Sequence, residues 1–171
     1  AAAIHAIGKQ AGDGPIPDQP GISVKLSALH PRFEHAKTER LLKELAPRLN
    51  SLALLAKKYH LGLNVDAEEA GRLEPLLQVV KAALSDPNLA DWDGFGLVIQ
   101  AYGKRAAPVI DWFYALASKL DRRVMVRLVK GAYWDSEIKL AQTDGASDYP
   151  VFTRRVATDI SYTCCAARLL R

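Results

Sequence analysis

Four apolar runs each carry one polar or charged residue near their C-terminal end: Lys25 in ISVKLSA, Asp66 in LGLNVDA, Gln100 in GFGLVIQAY and Arg127 in VMVRLVKG. Near-continuous apolar runs mark strands buried on both faces of a parallel sheet, where an unpaired charge is costly. These four residues therefore read as lining a site rather than filling a core, although Lys25 and Asp66 could also form a structural ion pair. Two cations, a carboxylate and an amide suit a zwitterionic or carboxylate-bearing small molecule. Directly after Arg127, Lys130 adds positive charge, Gly131 and Ala132 allow close approach to the backbone, and Tyr133 and Trp134 add flat apolar surface. That set would hold an extended planar anion, while plain packing of the two aromatics between sheet and helix is the competing reading.

The elements that must position these residues alternate strand and helix four times. Residues 38–59 place Leu41, Leu45, Leu49, Leu52 and Leu55 on one helical stripe, with Pro47 expected to bend it. Residues 69–84 do the same with Leu73, Leu76, Leu77, Val80 and Leu84. A third helix is predicted from about Pro108, burying Val109, Ile110, Phe113, Leu116 and Leu120. A fourth is predicted from about Thr153 to the last residue, with Val156, Ile160, Cys164 and Ala167 facing inward. Strands alternating with helices of this length predict βαβ units and a parallel sheet.

Residue parity sharpens the site. Val24 and Leu26 oppose Lys25 and Ser27; Leu63 and Val65 oppose Asn64 and Asp66; Leu97 and Ile99 oppose Val98, Gln100 and Tyr102; and Val126 and Leu128 oppose Arg127 and Val129. Each aliphatic face suits covering helices, and the other face suits a barrel interior. Lys25, Asp66, Gln100 and Arg127 are then expected to converge at one mouth, at the strand ends where barrel active sites gather. A closed barrel needs eight strands and ~250 residues. The 171 residues here are thus read as the (βα)4 first half of an α/β barrel, cut from a longer protein. Residues 1–20 form a lead-in helix end and a Gly- and Pro-rich loop, and residues 21–171 the four units.

Composition sets bounds. Hydrophobic residues make up 49% and charged residues 25%, as in a globular domain. No apolar run approaches the ~20 residues that span a bilayer. The net charge of +4 is spread along helices, which argues for a solvated surface over a nucleic-acid footprint. Cys164 and Cys165 are adjacent on a helix, suiting neither a disulfide nor a metal clip, and point to a reducing cytoplasm. His5, His30, His35 and His60 lack metal-ligand spacing, so no metal site is expected. Glycine-rich nucleotide fingerprints and a GxSxG elbow are missing as well.

The blocks GISVKLSALHPRFE, NVDAEEAGRLE, GFGLVIQAYGKR, RLVKGAYWDSEIKLAQTDG and YPVFTRRVATDISY resemble the proline dehydrogenase domain of the bacterial proline utilization A family, from Gly21 nearly to the end. The resemblance implies a distorted (βα)8 barrel that uses FAD to oxidise L-proline to Δ1-pyrroline-5-carboxylate and passes electrons to the membrane quinone pool. It implies that Lys25 binds the proline carboxylate, that Asp66 belongs to the ion-pair network of the substrate site, and that Tyr133 packs beside the proline ring. By the same resemblance Gln100, Arg127, Val129, Lys130, Gly131, Ala132, Trp134 and Thr153 surround FAD, with Arg127 near the reacting edge of the flavin. It also implies a cytoplasmic parent, peripheral to the inner membrane, with a DNA-binding segment upstream and an aldehyde dehydrogenase downstream. Nucleic-acid contact is not expected from this segment itself, and its exposed sheet edges could pair with a second copy.

Two other classes fit the residues less well. A Schiff-base aldolase or lyase would use Lys25 or Lys130 on the same barrel, and a basic binding module would show salt-dependent affinity without a cofactor. Because half of the barrel is expected to lie outside this chain, residues 1–171 alone should retain FAD poorly and oxidise proline weakly or not at all. Robust turnover by this segment in a proline-dependent dye-reduction assay would contradict that expectation.

Overall fold

The structure, a computed structural model, describes all 171 residues. Its centre is one parallel sheet in the order β1 (Gly21–Val24), β2 (Gly62–Val65), β3 (Phe95–Gln100) and β4 (Met125–Val129). Register aligns Val24 with Val65, Val65 with Leu97 and Leu97 with Val126. One residue further along, Lys25, Asp66, Val98 and Arg127 therefore share a level on the opposite face, since side chains alternate along each strand. Residues on the first face pack into a single core with the helices, and Leu63 and Val65 are fully buried there. The sequence-predicted parity and the α/β class both hold.

The helices are α1 (Ala2–Gly8), α2 (Thr38–Lys58), α3 (Leu73–Leu84), α4 (Ala106–Lys119), α5 (Trp134–Thr143) and α6 (Arg155–Leu169). In α2 the buried stripe runs through Leu41, Leu45 and Leu49 and continues through Ala53 and Ala56, leaving Leu52 and Leu55 partly buried. This helix continues through Pro47. Its last turn closes with His60 at φ 54°, and Leu61 N–H donates to the Ala56 carbonyl at 3.0 Å, turning the chain directly into β2. Asp121 at φ 50° does the same after α4, with Arg122 N–H donating to the Ala117 carbonyl. α3 begins after a 3₁₀ turn at Ala70–Arg72, and α4 begins two residues ahead of Pro108. No helix is long and apolar enough to cross a membrane.

Two expectations need correction. The segment after β4 carries two helices rather than one, because α5 intervenes. Its apolar pattern is thin, with Glu137 and Ala141 as its buried residues. The inward stripe of α6 was also misplaced: Val156 and Ile160 are each 60% exposed, Cys164 and Ala167 are exposed, and Thr158 and Cys165 are the buried pair. α6 packs on α4 and β4 through that second stripe, anchored by Arg168 to Asp111.

If the α2 stripe carries the core as described, Leu49→Ala should lower stability by about 2–5 kcal/mol, the usual range for emptying a buried leucine site. Leu42→Ala, on the exposed side, should stay within about 0.5 kcal/mol. Urea unfolding of both variants checks this, and equal losses would contradict it.

Candidate functional site

The face of the sheet turned away from the helical core carries the polar groups. Asp66 follows β2 and is held by its N–H donating to the Val24 carbonyl at 2.9 Å. Arg127 Nη2 donates to Asp66 Oδ1 at 2.5 Å, across the buried Val98 of the intervening strand. The arginine side chain stays half exposed (51%), whereas that of Asp66 is 18% exposed. A partly shielded pair of this kind fixes both side chains while leaving the guanidinium available on the open face.

Lys25 does not pair with Asp66. Its Nζ lies 5.8 Å from the centroid of the Tyr133 ring. Hydrogen bonding to Tyr133 is the largest influence holding the ammonium above the ordinary lysine pKa, with the nearby Asp66 and Glu68 charges adding to it and partial desolvation opposing. A lysine held in the charged form suits an anion ligand. It is the reverse of the lowered pKa that a Schiff-base amine needs, which weighs against the lyase reading.

Gln100 ends β3 and spends its amide on two loops. Its Nε2 donates to the Glu68 carbonyl at 2.9 Å, and its Oε1 accepts the Ala132 N–H at 3.2 Å. Glu68 is 6% exposed; its carboxylate accepts the Ser27 N–H at 3.0 Å and an Arg72 N–H at 2.9 Å. Ser27, Glu68, Gln100 and Ala132 thus link the loops after β1, β2 and β4 to the end of β3 in one hydrogen-bonded chain. Glu137, 3% exposed, adds a further tie by accepting the Ala70 N–H.

Beside this mouth lies a cleft of about 380 Å³ lined by Tyr102, Lys130, Gly131, Trp134, Thr153, Arg155 and Thr158. Trp134 is 42% exposed, and its indole N–H donates to the Phe152 carbonyl at 2.8 Å, which leaves the ring face open. Lys130 Nζ donates to Asp159 at 2.5 Å and remains exposed. Gly131 has φ 135°, a conformation that side chains disfavour, and its α-carbon lies against the Tyr102 ring. Val129, level with Gln100, closes the strand below this loop.

The sequence-predicted residues therefore fall into two adjoining groups. Lys25, Asp66, Gln100, Arg127, Ala132 and Tyr133 gather at the mouth, and Lys130, Gly131, Trp134 and Thr153 line the cleft. Glu68, Tyr102, Glu137 and Arg155 were not singled out as site residues. Glu68 and Glu137 look like surface carboxylates in NVDAEEAG and YWDSEIK, and only tertiary structure buries them. Tyr102 fell on the correct face by parity, and that was the one available signal.

A parallel sheet in sequential strand order, with charged groups at its C-terminal strand ends on the face away from the helices, is the arrangement of the first part of a (βα)8 barrel. The sequence profile of the proline dehydrogenase family matches residues 1–171. The chain is 58% identical over 168 residues to bifunctional protein PutA of Salmonella typhimurium, covering 98% of this chain and 13% of that protein. It is 57% identical over 160 residues to bifunctional protein PutA of Rhizobium meliloti, covering 94% of this chain and again 13% of that protein. Among solved structures, a mutant of proline utilization A of Bradyrhizobium japonicum matches with a TM-score of 0.98 at 60% identity, over 99% of this chain and 17% of that one. The chain belongs to the proline dehydrogenase family, and it spans about an eighth of the length of those curated relatives.

The charge on Lys25 supplies a pH test. A raised lysine pKa means that the stabilising interaction is fully present below the unfolded value of 10.5 and is lost only as pH rises through the higher folded value. Tyr133→Phe removes the hydroxyl, so the Lys25 pKa should fall back toward 10.5. Side-chain NMR titration of Lys25 reads the change, and an unchanged titration would contradict the Tyr133 assignment.

Proposed function

We propose that this chain supplies the first half of a proline dehydrogenase barrel that oxidises L-proline to Δ1-pyrroline-5-carboxylate with FAD. The observation that carries the reading is the level of Lys25, Asp66 and Arg127 on the open face of the sheet, adjoining the Lys130, Trp134 and Thr153 cleft. The cleft residues fit a flat, anionic dinucleotide: an exposed indole face, the cations Lys130 and Arg155, a threonine hydroxyl, and a glycine that exposes backbone. Gln100, Arg127, Val129, Lys130, Gly131, Ala132, Trp134 and Thr153 would hold it. When bound, the flavin supplies the hydride acceptor.

The chain's own residues do the rest by placement and electrostatics. Lys25 binds the substrate carboxylate as a full cation, and Tyr133 beside it offers an apolar flank to the pyrrolidine ring. Asp66 holds Arg127 in one orientation, which keeps a fixed positive charge where negative charge develops. The chain through Ser27, Glu68, Gln100 and Ala132 keeps the substrate loop and the cofactor loop in register. On the same reading electrons pass on to membrane quinone, the parent is cytoplasmic and meets the membrane at its periphery, and a second copy pairs with the exposed sheet edges.

Absorption spectroscopy of the protein carrying the whole barrel, before and after anaerobic L-proline, tests the reading. A flavin spectrum that bleaches is expected. A flavin that proline cannot reduce, or a colourless protein that added FAD leaves colourless, would overturn it. Arg127→Met should lower the flavin midpoint potential and slow its reduction by proline on the order of a hundredfold.

A further inference from the structure

Tyr102 stands two residues beyond β3, takes no part in the chemistry above, and is only 5% exposed. Its backbone grips both walls of the cleft. The Tyr102 N–H donates to the Lys130 carbonyl at 2.7 Å, and the Tyr102 carbonyl accepts the Phe152 N–H at 2.8 Å. An antiparallel bridge between Gly103 and Val151 reinforces the second contact.

The ring then does what the backbone cannot. Gly131 lies directly over it, so that a Cβ at residue 131 would stand 2.5–2.6 Å from three ring carbons. The residues on either side of this seat, Lys130 and Trp134, are the cation and the aromatic of the cleft. The Glu137 carboxylate, whose charge acts on the hydroxyl, accepts the Ala70 N–H and so holds the loop after β2. Burial, followed by the Glu137 charge, keeps the hydroxyl above the ordinary tyrosine pKa and therefore neutral.

We propose that Tyr102 is a positioning residue of the cleft: its ring is the seat that fixes the path of Gly131, and through it the placement of Lys130 and Trp134 toward a flavin dinucleotide. This rests on the function proposed above. It explains why the loop needs a glycine on the Tyr102 side, a demand made by the protein's own ring, whatever the ligand requires on the other.

Equilibrium FAD titration of the whole-barrel apoprotein, followed by flavin fluorescence and paired with thermal unfolding of each variant, tests the inference. Tyr102→Leu should weaken FAD binding at least about tenfold, and Tyr102→Phe, which keeps the ring, should restore it to within about threefold of wild type. Gly131→Ala should cost at least about tenfold in the wild-type background and clearly less in the Tyr102→Leu background, where the obstructing ring is gone. Equal costs in the two backgrounds would assign the effect to backbone strain alone and overturn the proposal. If Tyr102→Leu loses its cooperative transition, Tyr102→Val takes its place in the same comparison: a smaller Gly131→Ala cost in that background supports the seat, and an equal cost refutes it. Wild-type protein that binds no flavin would overturn the functional reading and this inference together, whereas flavin-binding wild type with unaffected variants overturns the inference alone.

Discussion

The strand register is the constraint on which the rest depends. With Val24, Val65, Leu97 and Val126 aligned, the next residue of each strand falls on the open face at one height, and this brings Lys25, Asp66 and Arg127 together. A slip of one residue in β1, β2 or β4 would turn its charged group into the helical core and its aliphatic partner outward, so hydrophobic burial and site assembly are enforced by the same alternation. The fully buried Leu63 and Val65 hold β2 in place, and with it Asp66. Fold stability and site geometry are thus two consequences of one pattern.

Local hydrogen bonding then converts a row of side chains into a shaped mouth. Loops after parallel strands have no ladder of their own, and their backbone groups need partners. The buried Glu68 and the partly buried Gln100 supply these partners, linking Ser27, Ala132 and the loop after β2. Tyr102 and Trp134 perform the equivalent task on the cleft side, where the Lys130 carbonyl and the 150–153 segment meet.

What could be read from the sequence follows the same division. Arg127 and Asp66 were legible because a charge inside an aliphatic strand is conspicuous and parity assigns its face. Glu68, Glu137 and Tyr102 were not, because their roles depend on loops whose course no period encodes. α5 escaped notice because its few apolar residues give no clear stripe. α6 was misphased because Val156 and Ile160 form a helical stripe as regular as the one through Thr158 and Cys165, and only the packing against α4 and β4 decides which turns inward. The long blocks around Lys25 and Arg127 carried the family resemblance, and the whole-chain family match agrees with it.

The central claim is spatial: the charged level on β1, β2 and β4 and the adjoining cleft are two parts of one flavin and substrate site. A crystal structure of the whole-barrel protein with FAD and a non-oxidisable proline analogue would test it most directly. The account predicts the flavin ring against Arg127, the analogue's carboxylate on Lys25, and the nucleotide end of FAD beside Trp134 and Thr153. Flavin bound elsewhere, with the Asp66–Arg127 pair left facing solvent, would contradict it.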